Sequence, residues 1–145
     1  MELTQSEADA LLLLEKVFVN TKNFSLGNIP IDQIHELSSL DGREKFLLDI
    51  SRGSINLAKY KLQNRARQVY ILARVDIGGP PHQNPDGSRI PCPHIHVFRE
   101  GFDDKWAYPL SNFNFRIPSD LMIVLEDFAD YCRIKLPPSQ LRYAK

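Results

Sequence analysis

The chain has 145 residues with acidic and basic residues in equal number, 18 of each, so its formal net charge is zero. That length suits one domain, and 43% hydrophobic residues exclude a chain too polar to fold. No apolar run is long enough to cross a bilayer and no leader pattern follows Met1. With only Cys92 and Cys132 there is no disulfide framework, so the expectation is a cytoplasmic protein with reduced thiols and no membrane partner.

Thr4-Gln5-Ser6-Glu7 reads as a capping box, and Ala8, Leu11, Leu12, Phe18 and Val19 fall on one helical face, predicting a helix over about residues 5–19. Asn20 to Asn28 is a polar loop. Ile29 to Leu40 is compatible with a few helical turns or a short strand, because Pro30 and Ser38-Ser39 interrupt a helical spacing. Lys45 to Ser51 alternates as a strand.

In the next strand, Lys59 to Arg67, the residues Lys59, Lys61, Gln63, Arg65 and Arg67 share one face, and Tyr60, Leu62 and Ala66 the other, with Asn64 as the exception. Val69 to Ile77 places Val69, Ile71, Ala73, Val75 and Ile77 on a buried face and Arg74 and Asp76 opposite. Gly78 to Gly87, rich in Gly and Pro, predicts irregular structure with a tight turn at Pro85-Asp86-Gly87. His94 to Glu100 puts Ile95 and Val97 in the core and His94, His96, Phe98 and Glu100 on the other face. Lys105 to Leu110 reads as a last strand carrying Trp106. Ser119 caps a C-terminal helix over about residues 119–134, whose apolar stripe ends at Pro137-Pro138, and the basic residues beyond are expected to form a loose tail. The expected architecture is α+β: one domain over residues 1–145, with an antiparallel sheet of four to five strands over about residues 45–110, flanked by the two helices.

Pairing of these strands would gather the basic row, Arg74, Asp76 and two histidines on one face. Five basic residues and one acidic residue lie between Lys59 and Asp76, so local charge favours phosphate contact although the total is zero. Two chemistries follow. His94 and His96, two apart on a strand, project the same way and can share a metal ion if Cys92, His82, Asp76 or Asp86 completes the set. Alternatively, His94 or His96 moves a proton while Arg65, Arg74 and Lys61 stabilise charge in phosphodiester cleavage, with no metal or other cofactor. Lys59, Lys61, Arg67, His82 and Lys105 are then the nucleic-acid contacts. A third reading makes the histidines hydrogen-bonding partners of the neighbouring loop; their burial, each ring bonded to loop backbone, would favour a non-catalytic module. Trp106 is expected to be half-buried. Motifs for phosphate loops, nucleophile elbows, zinc-protease helices and paired C-x-x-C are absent.

The run His82-x-Asn84-Pro85-Asp86-Gly87, Pro93-His94-Ile95-His96, Glu100-Gly101 and Trp106-Ala107-x-Pro109-Leu110 resembles a small family of uncharacterised bacterial and prophage-borne domains, across Phe46 to Leu110. Pro93 to Val97 resembles a short motif in a second uncharacterised family found near toxin–antitoxin genes. The order of helix, antiparallel sheet and basic strand is similar to ribonuclease toxins of the RelE and barnase type, an analogy of fold that assigns no residues. These resemblances imply an RNA-directed protein of a mobile-element or toxin–antitoxin system, with a metal-independent ribonuclease as one expectation. The alternative is a non-catalytic inhibitor or adaptor that binds a protein, such as an antitoxin or a host defence protein. A homodimer fits either.

Overall fold

The computed structural model describes residues 2–116 and 118–138. Helix α1 (Gln5–Leu13) is followed by β1 (Lys16–Phe18), β2 (Ile31–Ser39), β3 (Lys45–Arg52), β4 (Tyr60–Ala66) and β5 (Tyr70–Ile77). A small hairpin, β6 (His82–Gln83) and β7 (Arg89–Ile90), precedes β8 (His94–Val97) and β9 (Ala107–Pro109), and α2 (Leu121–Cys132) leads into β10 (Ile134–Lys135). The main sheet has eight strands in the order β10-β1-β2-β3-β4-β5-β8-β9, antiparallel except for the β1–β10 pair. The fold is α+β as expected, with a larger sheet than four to five strands.

The extra strands lie where the sequence pattern was mixed. The capping box is present, with the Glu7 amide donating to Thr4 Oγ1 and the Thr4 amide to Glu7 Oε1, but α1 stops at Leu13 instead of reaching residue 19. Val17, Phe18 and Val19 favour extended backbone, and β1 gains partners on both sides. The ambiguous segment is β2, paired with β3 over eight residues. The stretch from Gly78 to Gly87, expected to be irregular, contains β6, which pairs with β7 just beyond it in a small hairpin. Helix α2 is capped by Asp120, whose carboxylate accepts from the Ile123 amide, in place of Ser119. The last strand contracts to Ala107–Pro109. The tail from residue 139 lies outside the described residues.

Both helices and one sheet face form a common core that includes Leu11, Phe46, Leu48, Ile50, Tyr60, Leu62, Val75, Ile95, Val124, Leu125 and Phe128. The phase expected for β4 holds, with Tyr60, Leu62, Asn64 and Ala66 buried. That for β5 fails in its first half, because the register slips between Asn64 and Arg65: Asn64 lies opposite Ala73, whereas Arg65 lies opposite Ile71. The extra residue inverts the alternation. Leu72 therefore joins Ala73, Val75 and Ile77 in the core, while Val69 is 71% exposed. The alternation also breaks at the end of β8, where Phe98 turns into the core.

Lys16, fully buried, ties both helices to the sheet. Its ammonium donates to the carbonyls of Leu12 (3.0 Å) and Leu14 (2.9 Å) at the end of α1 and of Cys132 (2.6 Å) at the end of α2, and lies 4.8 Å from the Phe46 ring centroid. Helix C-termini expose unpaired carbonyls and partial negative charge, so one cation answers both ends. Lys16→Met keeps the apolar stem and leaves these carbonyls without a donor. It is expected to lower stability by about 2–3 kcal/mol, read as a shift of the urea midpoint; an unchanged midpoint would show that the contact is dispensable.

Candidate functional site

The sheet face away from the helices is organised in cross-strand rows. One runs Ser51, Lys61, Asp76, His94 and Pro109, and the next Asp49, Gln63, Arg74, His96 and Ala107, from β3 across β4, β5 and β8 to β9. Opposed residues in a sheet project to the same side. Register therefore brings Arg74, Asp76, His94 and His96 together, next to Lys61. The Arg65 row lies on the far side of the bulge.

Asp76 is the hub. His94 Nε2 and His96 Nε2 each lie 3.2 Å from its Oδ2. Arg74 reaches Oδ1 through Nε at 3.1 Å and Oδ2 through Nη2 at 3.2 Å, while its Nη1 donates to Asp104 Oδ2 at 3.0 Å. Burial would raise the Asp76 pKa, but hydrogen bonding at the carboxylate, that of His94 first, and the Arg74 charge outweigh it and hold the carboxyl far below the usual range, so Asp76 is anionic.

The far nitrogens of the rings meet carbonyls: His96 Nδ1 lies 2.8 Å from Asp104 O and His94 Nδ1 3.3 Å from Pro91 O. A carbonyl only accepts, so each of these contacts is a hydrogen bond when Nδ1 carries the hydrogen. For His96 a second contact agrees, because Arg74 Nη2, a donor only, lies 3.0 Å from Nε2. His96 Nε2 thus offers a lone pair that accepts from Arg74. The same Nη2 bridges to Asp76 Oδ2 and offsets the repulsion between those two acceptors. His94 has acceptors at both nitrogens, and a neutral ring with one hydrogen satisfies only one of them.

The β6–β7 hairpin covers these groups. His82 Nε2 donates to Lys105 O (2.7 Å), and its ring lies 4.6 Å from that of His96 and 6.0 Å from that of His94, centroid to centroid. Asn84 fixes the hairpin to β9: its Nδ2 donates to Ala107 O (3.0 Å), and the Ala107 amide donates to its Oδ1 (2.8 Å). As a result, His94 is only 2% and His96 1% exposed. A cleft of ≈ 300 Å³ remains, lined by Lys59, Lys61, Arg74, Asp76, His82 and His94 among others. Lys59 and Lys61 are exposed, and neither is in an ion pair among the described residues.

Other candidate residues lie elsewhere or serve other bonds. Arg65 grips Asp49 with two hydrogen bonds of 2.7 and 2.8 Å, which raise its pKa, and it does not join the histidines. Arg67 is bound to Glu44 beyond the end of β4. Lys105 supplies its carbonyl to His82, and its side chain is exposed. Asp86 accepts from the Ser88 amide and hydroxyl, as its turn chemistry requires. Cys92 Sγ lies between Gly79 N and Asp76 O. Trp106 is half-buried, with the Arg99 guanidinium 4.1 Å over its ring. Asp104 and the bracing role of Asn84 were missed. Asp104 sits in a turn whose composition needs no further explanation, and Asn84 read as part of a turn.

Two outcomes follow. Asn84→Ala is expected to lower the melting temperature by several degrees, on the order of 1–3 kcal/mol for two lost buried hydrogen bonds; a thermal scan that matches the parent protein would show that the hairpin holds without it. Burial pushes the Cys132 thiol up to about 12, so at pH 8 it is protonated and shielded, whereas Cys92 is partly exposed. Iodoacetamide is expected to label Cys92 alone in the native protein and both after denaturation, read by peptide mass spectrometry. Native labelling of Cys132 would contradict its burial.

No curated protein and no solved structure matches the chain. A family model described as a family of unknown function (DUF6978) matches residues 3–134, and so spans both helices, the sheet as far as Ile134 in β10 and the histidine cluster. The chain belongs to this family, whose printed description assigns no activity.

Proposed function

We propose that this protein is an RNA-directed binding module that takes phosphate groups of its ligand at the cleft above Asp76. The observation that carries this reading is the pair Lys59 and Lys61, two exposed ammonium groups in no ion pair among the described residues, at the rim of a ≈ 300 Å³ cleft with a fixed guanidinium below. Such cations bind polyanions by releasing counterions, and the affinity falls with salt in proportion to the phosphates neutralised. In this reading the histidines are scaffold. All three rings lie against backbone carbonyls of the surrounding loops.

This arrangement favours binding over a metal-independent ribonuclease. A general acid or base must come within reach of the reacting group, and His94 and His96 are 2% and 1% exposed with both nitrogens engaged. The similarity to ribonuclease toxins of the RelE and barnase type rests on element order and assigns no residue to the cleft.

The test is fluorescence anisotropy with a labelled single-stranded RNA across a salt series. The double variant Lys59→Ala/Lys61→Ala is expected to bind more weakly and to reduce the slope of log affinity against log salt by about 1.4, roughly 0.7 per phosphate contact, with an unchanged melting temperature. Lys22→Ala, exposed and distant in sequence, serves as the control. Absence of binding by the parent protein at low salt, or identical slopes, would overturn the proposal. Cleavage of the same RNA that disappears in His96→Ala would restore the ribonuclease.

A further inference from the structure

We propose that Asp76 Oδ2, His94 Nε2 and His96 Nε2 form a three-ligand site for a divalent transition-metal ion of the zinc type, at the inner end of the cleft. The site does not depend on RNA binding.

The donor set is two imidazoles and one carboxylate, converging from adjacent strands, with all three residues buried and the ligand atoms within 4.8 Å of one another. Ligands at 2.0–2.2 Å around a tetrahedral ion stand about 3.3 Å apart, and both Nε2-to-Oδ2 distances are already 3.2 Å. Only the third edge, between the two rings, has to close. The Asp104 carbonyl holds His96 Nδ1, which leaves its Nε2 lone pair directed into the cluster, and the Pro91 carbonyl gives His94 Nδ1 an acceptor when an ion takes its Nε2. Metal-binding histidines are commonly fixed in this way, because the outer hydrogen bond sets the tautomer and the ring orientation. His94 supplies the second observation. Acceptors face both of its nitrogens, and a hydrogen on Nδ1 with a cation between Nε2 and Asp76 Oδ2 would satisfy both. Asp76 and His94 also line the cleft, so an ion there is open to solvent on the remaining side.

Arg74 is the placeholder. Its Nη2 bonds both Asp76 Oδ2 and His96 Nε2, two of the three ligand atoms, and neutralises part of the charge that a metal would neutralise. Its Nη1 is separately anchored on Asp104 at 3.0 Å. Nη2 can therefore leave without stranding the guanidinium. Metal binding and the Arg74 bridge are mutually exclusive.

This exclusion separates a metal site from a permanent Arg–Asp–His network. Tag-free protein is dialysed against Zn²⁺, bound metal is measured by elemental analysis and affinity by calorimetry, and Co²⁺ reports coordination through its visible absorption. The expected result is one ion per chain and a raised melting temperature. Asp76→Asn, which keeps the shape, is expected to lose at least ~10-fold in affinity. Arg74→Ala is expected to bind Zn²⁺ more tightly than the parent protein because the competing cation is gone, with circular dichroism reporting the fold of each variant. If Arg74→Ala fails to fold, the comparison of the parent protein with Asp76→Asn decides the matter. No retained ion in the parent protein, equal affinity in Asp76→Asn, or a folded Arg74→Ala that binds no better than the parent protein would overturn the site.

Discussion

A single buried carboxylate sets the arrangement of the polar face. Asp76 sits in the second-to-last row of β5 and is 9% exposed, and a negative charge at that depth needs compensation. Arg74 supplies the charge and the two imidazoles complete the surroundings of its oxygens. Each of these partners is anchored in turn: Arg74 on Asp104, His96 on the Asp104 carbonyl, His94 on the Pro91 carbonyl. The chain from Gly78 to Lys105 is thereby drawn down onto the sheet. The Pro91 and Asp104 carbonyls are placed by this cluster, while Asn84 and His82 hold the hairpin over it. Removing a single partner leaves the others facing uncompensated charge, so the cluster acts as a unit.

Much of this was legible in the sequence. Alternation assigned β3, β4 and the second half of β5, and it placed Lys61, Arg74, Asp76, His94 and His96 on a common face, because period-2 patterning is what distinguishes a half-buried strand. Three things were hidden. The bulge opposite Asn64 and Arg65 reverses the phase of β5, and a row of apolar residues at Val69 and Ile71 gives no sign of it, since both phases look hydrophobic there. The strands β1 and β10 are three and two residues long, too short for any periodicity to show. Finally, Arg65 has the right face but the wrong neighbour. Asp49 captures it across β3, a pairing set by register and not by sequence proximity.

The same residues support the two functional proposals at different depths. The ammonium groups of Lys59 and Lys61 stand at the rim, where long-range attraction to phosphate operates. The imidazoles and Asp76 stand at the floor, where tautomer and distance govern what can bind. The histidines' burial weighs against free proton transfer, and it is the environment in which a structural network or a coordinated ion is held. Membership of a family of unknown function gives no activity to set against either proposal, so the geometry of the floor is the more informative guide.

The central claim is therefore about hydrogens on rings, and nitrogen-15 NMR of the imidazoles in metal-free protein reads it directly. The account predicts opposite tautomers for two neighbouring histidines: hydrogen on Nδ1 and a lone pair on Nε2 for His96, hydrogen on Nε2 for His82 where it meets the Lys105 carbonyl. A hydrogen on His96 Nε2, or rapid averaging between its two nitrogens, would contradict the network on which both the scaffold and the metal site depend.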